Sequence, residues 1–170
     1  MPNPKIQVLC GMIASGKSTY CKTAAKHGYV VINDDAIVNM LHADDYTLYD
    51  PKLKVLYKAI ENNAISTALA FRKNVIIDRG LNVSVQGRSR WLSLAKSFDV
   101  TCDALVFRNE GPKVHAERRM KADGRGHPSE YWLRVAEVHN SLYVPPTQAE
   151  GFNAVYEISY DDILSGRIAI

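Results

Sequence analysis

This 170-residue chain predicts an α/β fold, a three-layer arrangement in which a parallel sheet of about five strands carries helices on both faces. Three observations lead there. Short, continuously apolar runs alternate with segments of helical periodicity. The first apolar run is followed at once by the glycine-bearing stretch GMIASGKST, residues 11–19, and then by a helix. Aspartates stand directly after the second and third apolar runs. Short strands without polar alternation belong to parallel sheets covered on both sides, and such strands need helical crossovers.

Taken in order, KIQVLC at 5–10 is a buried first strand, and STYCKTAAKHG at 18–28 is a helix that Gly28 ends. YVVI at 29–32 is the second strand, bounded by Gly28 and by Asn33-Asp34, with a helix following at 36–42. Between Pro51 and Arg72, Leu53, Leu56, Ile60, Ala64, Ala68 and Phe71 recur at three- and four-residue steps and predict a long helix buried along that stripe. NVIID at 74–78 is the third strand, a helix covers about 84–96, and CDALVF at 102–107 is the fourth strand. A helix over about 113–121 runs into the loop KADGRGHP, 121–128. Ser129 is expected to cap a further helix with Trp132, Val135, Ala136, His139 and Tyr143 on one stripe, which Pro145-Pro146 stops. NAVYEI at 153–158 is the fifth strand, and a short helix near 161–165 follows.

A composition of 46% hydrophobic and 23% charged residues is that of a globular protein and excludes disordered and collagen-like classes. No apolar run approaches the roughly 20 residues needed to span a bilayer, and MPNPK carries no secretory pattern. The expectation is one cytoplasmic domain over residues 1–170. Cys10, Cys21 and Cys102 fit neither a zinc site nor a disulfide framework, and His115, His127 and His139 make no metal spacing. The net charge of +3 is unevenly spread. Residues 34–50 hold five aspartates and no Lys or Arg, whereas 72–96 hold Arg72, Lys73, Arg79, Arg88, Arg90 and Lys96 against Asp78 alone. A second basic cluster is Arg118, Arg119, Lys121 and Arg125. Such clusters suit phosphate-bearing partners, including nucleic acid, or form solvated faces.

The stretch at 11–19 has the chemistry of a phosphate-binding loop. Gly11 and Gly16 let the chain turn so that backbone N–H groups, with Ala14, Ser15 and Thr19, wrap a nucleoside triphosphate. Lys17 reaches the β/γ-phosphates and Ser18 holds Mg²⁺. The expected cofactors are therefore ATP and Mg²⁺. Ligands of open α/β sheets lie outside the carboxyl ends of the strands, where Asp34 and Asp35 follow the second strand and Asp78 and Arg79 the third. One of Asp34 and Asp35 is placed to accept the proton of an acceptor hydroxyl; the other binds a metal-held water or caps the next helix. Asp78 orients the acceptor or makes a turn, and Arg79 neutralises an acceptor phosphate or pairs with the nearby acids. Gly124 and Gly126 flank Arg125 in a basic lid that brings this arginine onto the transferring phosphate.

With these residues in view, the chain resembles the P-loop 5′-hydroxyl polynucleotide kinases, both the bacteriophage type and the kinase domain of the animal kinase-phosphatase. The similarity is carried by GMIASGKST, by GYVVINDD, by VIIDRGLN, by the basic lid ending in HP, and by VPPTQAEGFNAVYEI. The resemblance implies Asp35 as the catalytic base, Lys17 and Ser18 as phosphate and metal contacts, Asp78 at the acceptor, and Arg118 or Arg119 against the nucleotide. It implies the 5′-hydroxyl end of a polynucleotide as acceptor.

The chain departs from that family where the acceptor is held. Val38 stands where the phage enzyme has an arginine for the acceptor's 3′-phosphate, and Arg79-Gly80 replace a threonine and an asparagine. Counting back from Pro128, the family's lid arginine falls near Ala122, so Arg119, Lys121 and Arg125 all stand as candidates. An alternative is a kinase of another hydroxyl: a hydroxymethylpyrimidine in DNA, a nucleotide, a sugar or a nucleotide-sugar. A third class, a nucleotide-binding ATPase module, has no obvious water-positioning signature here.

Overall fold

The computed structural model describes residues 3–122 and 126–165. Five strands, β1 (Lys5–Cys10), β2 (Val30–Asn33), β3 (Val75–Asp78), β4 (Thr101–Phe107) and β5 (Ala154–Ile158), form one sheet in the order β2-β3-β1-β4-β5. Every pairing is parallel, with Ile6 opposite Val75 and Cys102, and Asn33 opposite Asp78. The helices are α1 (Lys17–Lys26), α2 (Asp34–Leu41), α3 (Lys54–Ala70), α4 (Val85–Ser97), α5 (Pro112–Lys121), α6 (Ser129–Leu142) and α7 (Tyr160–Ser165). The expected strands and helices are present, with ends shifted by a few residues.

Because side chains alternate along a strand, each strand feeds two cores. Ile6, Val8, Val75, Ile77 and Ala104 pack with Ile65, Ala68 and Leu69 of α3 and Trp91 and Ala95 of α4. Leu9, Ile76, Leu105 and Phe107 pack with Tyr20, Cys21 and Ala24 of α1 and Ile163 of α7. A third cluster joins Met12 of the phosphate loop to Ala116 of α5 and to Trp132 and Ala136 of α6. The α5–α6 pair therefore leans on the phosphate loop. Among the described residues no helix is long and apolar enough to cross a membrane.

Several local expectations are corrected. In α3 the buried face is Tyr57, Glu61, Ile65, Ala68 and Leu69, one residue round from the apolar stripe, and Leu53, Leu56 and Phe71 are exposed. Tyr57 and Glu61 have polar partners where they are buried: the Tyr57 hydroxyl lies 2.9 Å from the His42 Nε2, and the Glu61 Oε2 2.9 Å from an Arg90 nitrogen. Ser129 does not cap α6: it is the first helical residue, and Pro128 precedes it without a side-chain cap. Neither Asp34 nor Asp35 caps α2; the Asn33 side chain does so, accepting the Ala36 N–H at 2.8 Å.

The basic run at 72–96 is not a continuous face either. Arg88 is fully buried, and its guanidinium donates to both carboxylate oxygens of Glu150 at 2.9 and 2.7 Å and to the carbonyls of Asn82 and Val144 at 3.0 and 2.9 Å. Asn82, also fully buried, donates to the carbonyls of Leu9 and Ile77 at 3.2 and 3.1 Å and accepts from the Trp91 indole at 2.9 Å. This network gives the Pro-Pro-Thr and Glu-Gly-Phe segment a physical reason: Thr147 and Glu150 form a capping box, and Glu150 neutralises the buried arginine. Removing one partner of a buried pair strands the other charge. Glu150→Ala is expected to lower stability by about 3 kcal/mol in urea melts, with much of the loss recovered in Arg88→Met/Glu150→Leu. A loss below about 1 kcal/mol would contradict that role for the pair.

All three cysteines are buried free thiols. Burial pushes Cys10 and Cys102 up to about 12 and raises Cys21 as well, with Asp78 adding to the rise at Cys21. Because the thiolate is the reactive form, the native protein at mildly alkaline pH is expected to leave an aromatic disulfide reagent unconsumed, and the denatured chain to consume three equivalents. Rapid reaction of the native protein would place a thiol at the surface.

Candidate active site

The phosphate loop leaves the carboxyl end of the central strand β1 and enters α1. Its backbone is unusual at two places: Gly16 has φ +100° and Ala14, though not glycine, has φ +50°. Such conformations persist where surrounding structure enforces them, and they gather at ligand sites. A Cβ at Gly11 would come within 2.8 Å of both the Phe107 Cβ and the Ser15 Oγ, and one at Gly16 within 2.6 Å of the Ile163 Cδ1. Close packing against the Phe107 Cβ requires glycine at 11, whereas at 16 the Ile163 terminus can shift and the positive φ is what favours glycine. Gly16 caps α1 without a side-chain bond and no acid occupies the first turn. The helix N-terminus, with its partial positive charge, therefore faces the loop and suits an anion.

Lys17 is buried, with its Nζ donating to the carbonyls of Gly11 at 2.9 Å and Met12 at 2.5 Å. Burial pulls its ammonium below the ordinary lysine value, and Asp78 opposes that shift. Ser18 and Thr19 are exposed at the start of α1.

Asp78 ends β3 buried beside this lysine. The Asn33 amide donates to the Asp78 carbonyl at 3.1 Å and to its carboxylate at 3.3 Å. Asn33 thereby ties the end of β2, where the acidic pair begins, to the end of β3. One residue further on in each segment, Asp34 accepts from the Arg79 Nε at 2.9 Å, and Arg79 is half-buried. Burial raises the Asp34 carboxyl above its ordinary value, with Arg79 lowering it and Asp35 raising it. Arg79 thus pairs with the neighbouring acid, as one of the two sequence readings had it.

Asp34, Asp35, Val38 and Arg79 line a cavity of about 200 Å³. Asp78 does not line it: this aspartate, expected at the acceptor, sits with the phosphate loop. The rest of the wall was missed from the sequence. It includes Tyr46, Tyr49 and Tyr57, with Lys54, Lys58 and Glu61 from α3. Tyr49 stacks between Tyr46 and Tyr57, at centroid distances of 6.0 and 5.6 Å. Lys54, Tyr57, Lys58 and Glu61 recur at three- and four-residue steps, a polar stripe that the apolar reading of α3 passed over.

On the other flank, Arg118 pairs with Glu110, and the Arg119 guanidinium lies over the Trp132 ring, 4.6 Å from its centroid. Lys121 is the exposed last residue of α5, and Arg125 lies outside the described residues. Two histidines also approach the loop. His115 is fully buried and accepts the Glu110 N–H at 3.0 Å through Nε2, and His139 lies 3.2 Å from where a Cβ of Gly80 would stand. Burial lowers the pKa of both, and the positive charge of Lys17 adds to it.

A parallel sheet of this order, with the phosphate loop on its central strand and acids at the next two strand ends, is the fold of P-loop kinases. Residues 6–146 match the AAA domain family (AAA_33), and the chain belongs to that family. Among solved structures it is similar to a chain of the Pnkp1/Rnl/Hen1 RNA repair complex, with TM-score 0.64 and 20% identity over 85% of this chain and 47% of that one. It is also similar to a fungal RNA kinase, with TM-score 0.63 and 15% identity over 94% of this chain and 39% of that one. A third similar structure is the shikimate kinase of Bacteroides thetaiotaomicron, with TM-score 0.55 and 18% identity over 96% and 93%. The chain therefore spans less than half of the two RNA-processing chains and nearly all of the shikimate kinase. Replacing Lys17 by Met is expected to raise the dissociation constant for ATP at least ~10-fold by calorimetry, as loss of a charged phosphate contact implies. An unchanged constant would remove the loop from nucleotide binding.

Proposed function

We propose that the protein is an ATP-dependent kinase that moves the γ-phosphate to a hydroxyl, most simply the 5′-hydroxyl end of a polynucleotide, and that residues 1–170 act as one cytoplasmic kinase domain. The observation that carries this reading is the meeting of two sites on one sheet edge. The phosphate loop and the Asp34–Asp35–Arg79 cavity open beside each other, and the Asn33–Asp78 contact joins them.

In this mechanism the nucleotide phosphates lie on the backbone of residues 11–19. Lys17 exchanges its loop carbonyls for phosphate oxygens, and the α1 N-terminus offsets their charge. Among the described residues no group of three or more His, Cys, Asp or Glu is placed to hold a metal ion. Mg²⁺ binds through few protein oxygens plus substrate phosphates, and the exposed Ser18 hydroxyl and the Asp78 carboxylate are the groups that would hold it. Bound there, Mg²⁺ would neutralise charge on the phosphates. Asp35 accepts the proton of the attacking hydroxyl, while Asp34 is held by Arg79 and positions the pair. Arg125 from the lid, with Arg118 or Arg119 at its base, is proposed to meet the nucleotide.

A second reading, a kinase of a small hydroxylated molecule, is favoured by the modest cavity, by Val38 in place of an acceptor-binding arginine, and by coverage of 93% of the shikimate kinase chain. A panel assay with labelled ATP separates the two, offering 5′-hydroxyl oligonucleotides, hydroxymethylpyrimidine DNA, nucleosides and sugar acids. Label in the oligonucleotides supports the first reading; label confined to a small molecule overturns it. Asp35→Asn is expected to keep ATP affinity and depress transfer by ~10² or more, as loss of a general base requires. Unchanged turnover would remove that role from Asp35.

A further inference from the structure

Deep in the acceptor cavity lies a group to which the proposed mechanism gives no task. Glu61 is buried, at 3% exposure, and its Oε2 lies 2.9 Å from an Arg90 nitrogen. Its Oε1 is buried with no hydrogen-bond partner among the described residues. A buried carboxylate oxygen without a donor is rare, and it points to a ligand that supplies one. Glu61 also lines the cavity that Asp34 and Asp35 share, and its charge is felt at Asp34. Lys54 and Lys58, exposed on the same helix and lining the same cavity, have no carboxylate within 4 Å among the described residues. The same cavity is lined by three aromatic rings, Tyr57 of α3 itself and Tyr46 and Tyr49 from the preceding turns.

We infer that Glu61 is a specificity-determining residue that accepts a hydrogen bond from a ring O–H or N–H of the phosphoryl acceptor, while Lys54 and Lys58 hold an anionic group of the same molecule. The inference rests on the proposed kinase reading and deepens it. The acceptor must carry three things: the reacting hydroxyl near Asp35, a donor on a ring reaching Glu61, and a negative charge. A nucleotide unit with a phosphate beyond its sugar satisfies all three, and its base suits an aromatic wall. A hydroxylated ring acid shares the chemistry without the base. In both cases an acceptor lacking the donor leaves the Glu61 oxygen buried and unpaired, which is how a polar pocket rejects an analogue. This reading also accounts for Val38: anion recognition is moved from α2 to α3.

The experiment measures kcat and acceptor KM at saturating ATP. The acceptors are the four nucleoside 3′-monophosphates, the same nucleosides without phosphate, their 2′-deoxy and N-dimethylated analogues, shikimate and gluconate. In Glu61→Gln the amide oxygen turns to Arg90 and presents its NH₂ to the cavity, replacing an acceptor by a donor. Its KM for the preferred nucleotide is expected to rise at least ~10-fold, with kcat and the KM for ATP changed less than ~3-fold. One analogue that removes a donor should raise KM similarly in the native protein and have no further effect in Glu61→Gln, the signature of a direct contact. This comparison in the native protein needs no folded variant. Lys54→Ala/Lys58→Ala, at exposed positions, should raise KM for the 3′-monophosphate and leave that for the bare nucleoside unchanged.

If the native protein phosphorylates nucleotides but no donor-removing analogue and neither variant alters KM, the role of α3 is overturned while the kinase reading stands. If only shikimate or gluconate is phosphorylated, the polynucleotide reading falls, and a KM for that acid that is unchanged in Glu61→Gln overturns the role of Glu61 too. Phosphorylation of no acceptor overturns both.

Discussion

The carboxyl edge of the sheet is held in place by one buried cation. The Arg88 guanidinium, closed off from water, spends its donors on Glu150, on the Asn82 carbonyl and on the Val144 carbonyl. Asn82 in turn fastens carbonyls one residue short of the ends of β1 and β3, those of Leu9 and Ile77. Gly11 stands two residues after Leu9 and Asp78 directly follows Ile77, so the phosphate loop and its neighbouring aspartate leave from anchored points. The backbone bond from the Val144 N–H to the Val83 carbonyl closes the same network from the segment after α6. A charge so deeply placed tolerates no missing partner, and this makes the edge rigid where a site needs rigidity.

Around that edge the polar groups fall into two halves, one at the phosphate loop and one at the cavity beside Asp34 and Asp35. In the first, Lys17 rests on carbonyls of its own loop, its charge opposed by burial and favoured by Asp78. In the proposed mechanism phosphate oxygens replace those carbonyls around an ammonium already held in place, the condition for preorganised electrostatic stabilisation. In the second half, Asp34 and Arg79 neutralise one another at the cavity, while Glu61 keeps an unmatched oxygen inside it. Asn33 belongs to both halves: its oxygen caps α2 and its amide holds Asp78. A single asparagine thus ties the start of the acidic pair to the aspartate that ends β3.

The layered sheet and the phosphate loop were legible because they rest on local pattern: apolar runs of strand length, and glycines whose spacing has one good explanation. The cavity beside Asp34 and Asp35 was much less so. Its residues come from α2, from the turns bearing Tyr46 and Tyr49, from the polar face of α3 and from Arg79, and no local pattern joins them. The stripe on α3 was misplaced because it was drawn through apolar side chains alone, whereas the burial of Tyr57 and Glu61 comes from partners on other segments, His42 and Arg90. Arg88 was counted with the basic run for the same reason: its partner, Glu150, is 62 residues away. Burial of a charge is a tertiary fact, invisible to composition.

The central claim is that one sheet edge holds a phosphoryl donor and its acceptor in line. A crystal structure with a non-hydrolysable ATP analogue tests it most directly. The account predicts triphosphate wrapped by residues 11–19, the Lys17 Nζ moved from the Gly11 and Met12 carbonyls to phosphate oxygens, and the γ-phosphate facing the cavity at Asp35. A nucleotide bound elsewhere, or a γ-phosphate turned away from that cavity, would contradict it.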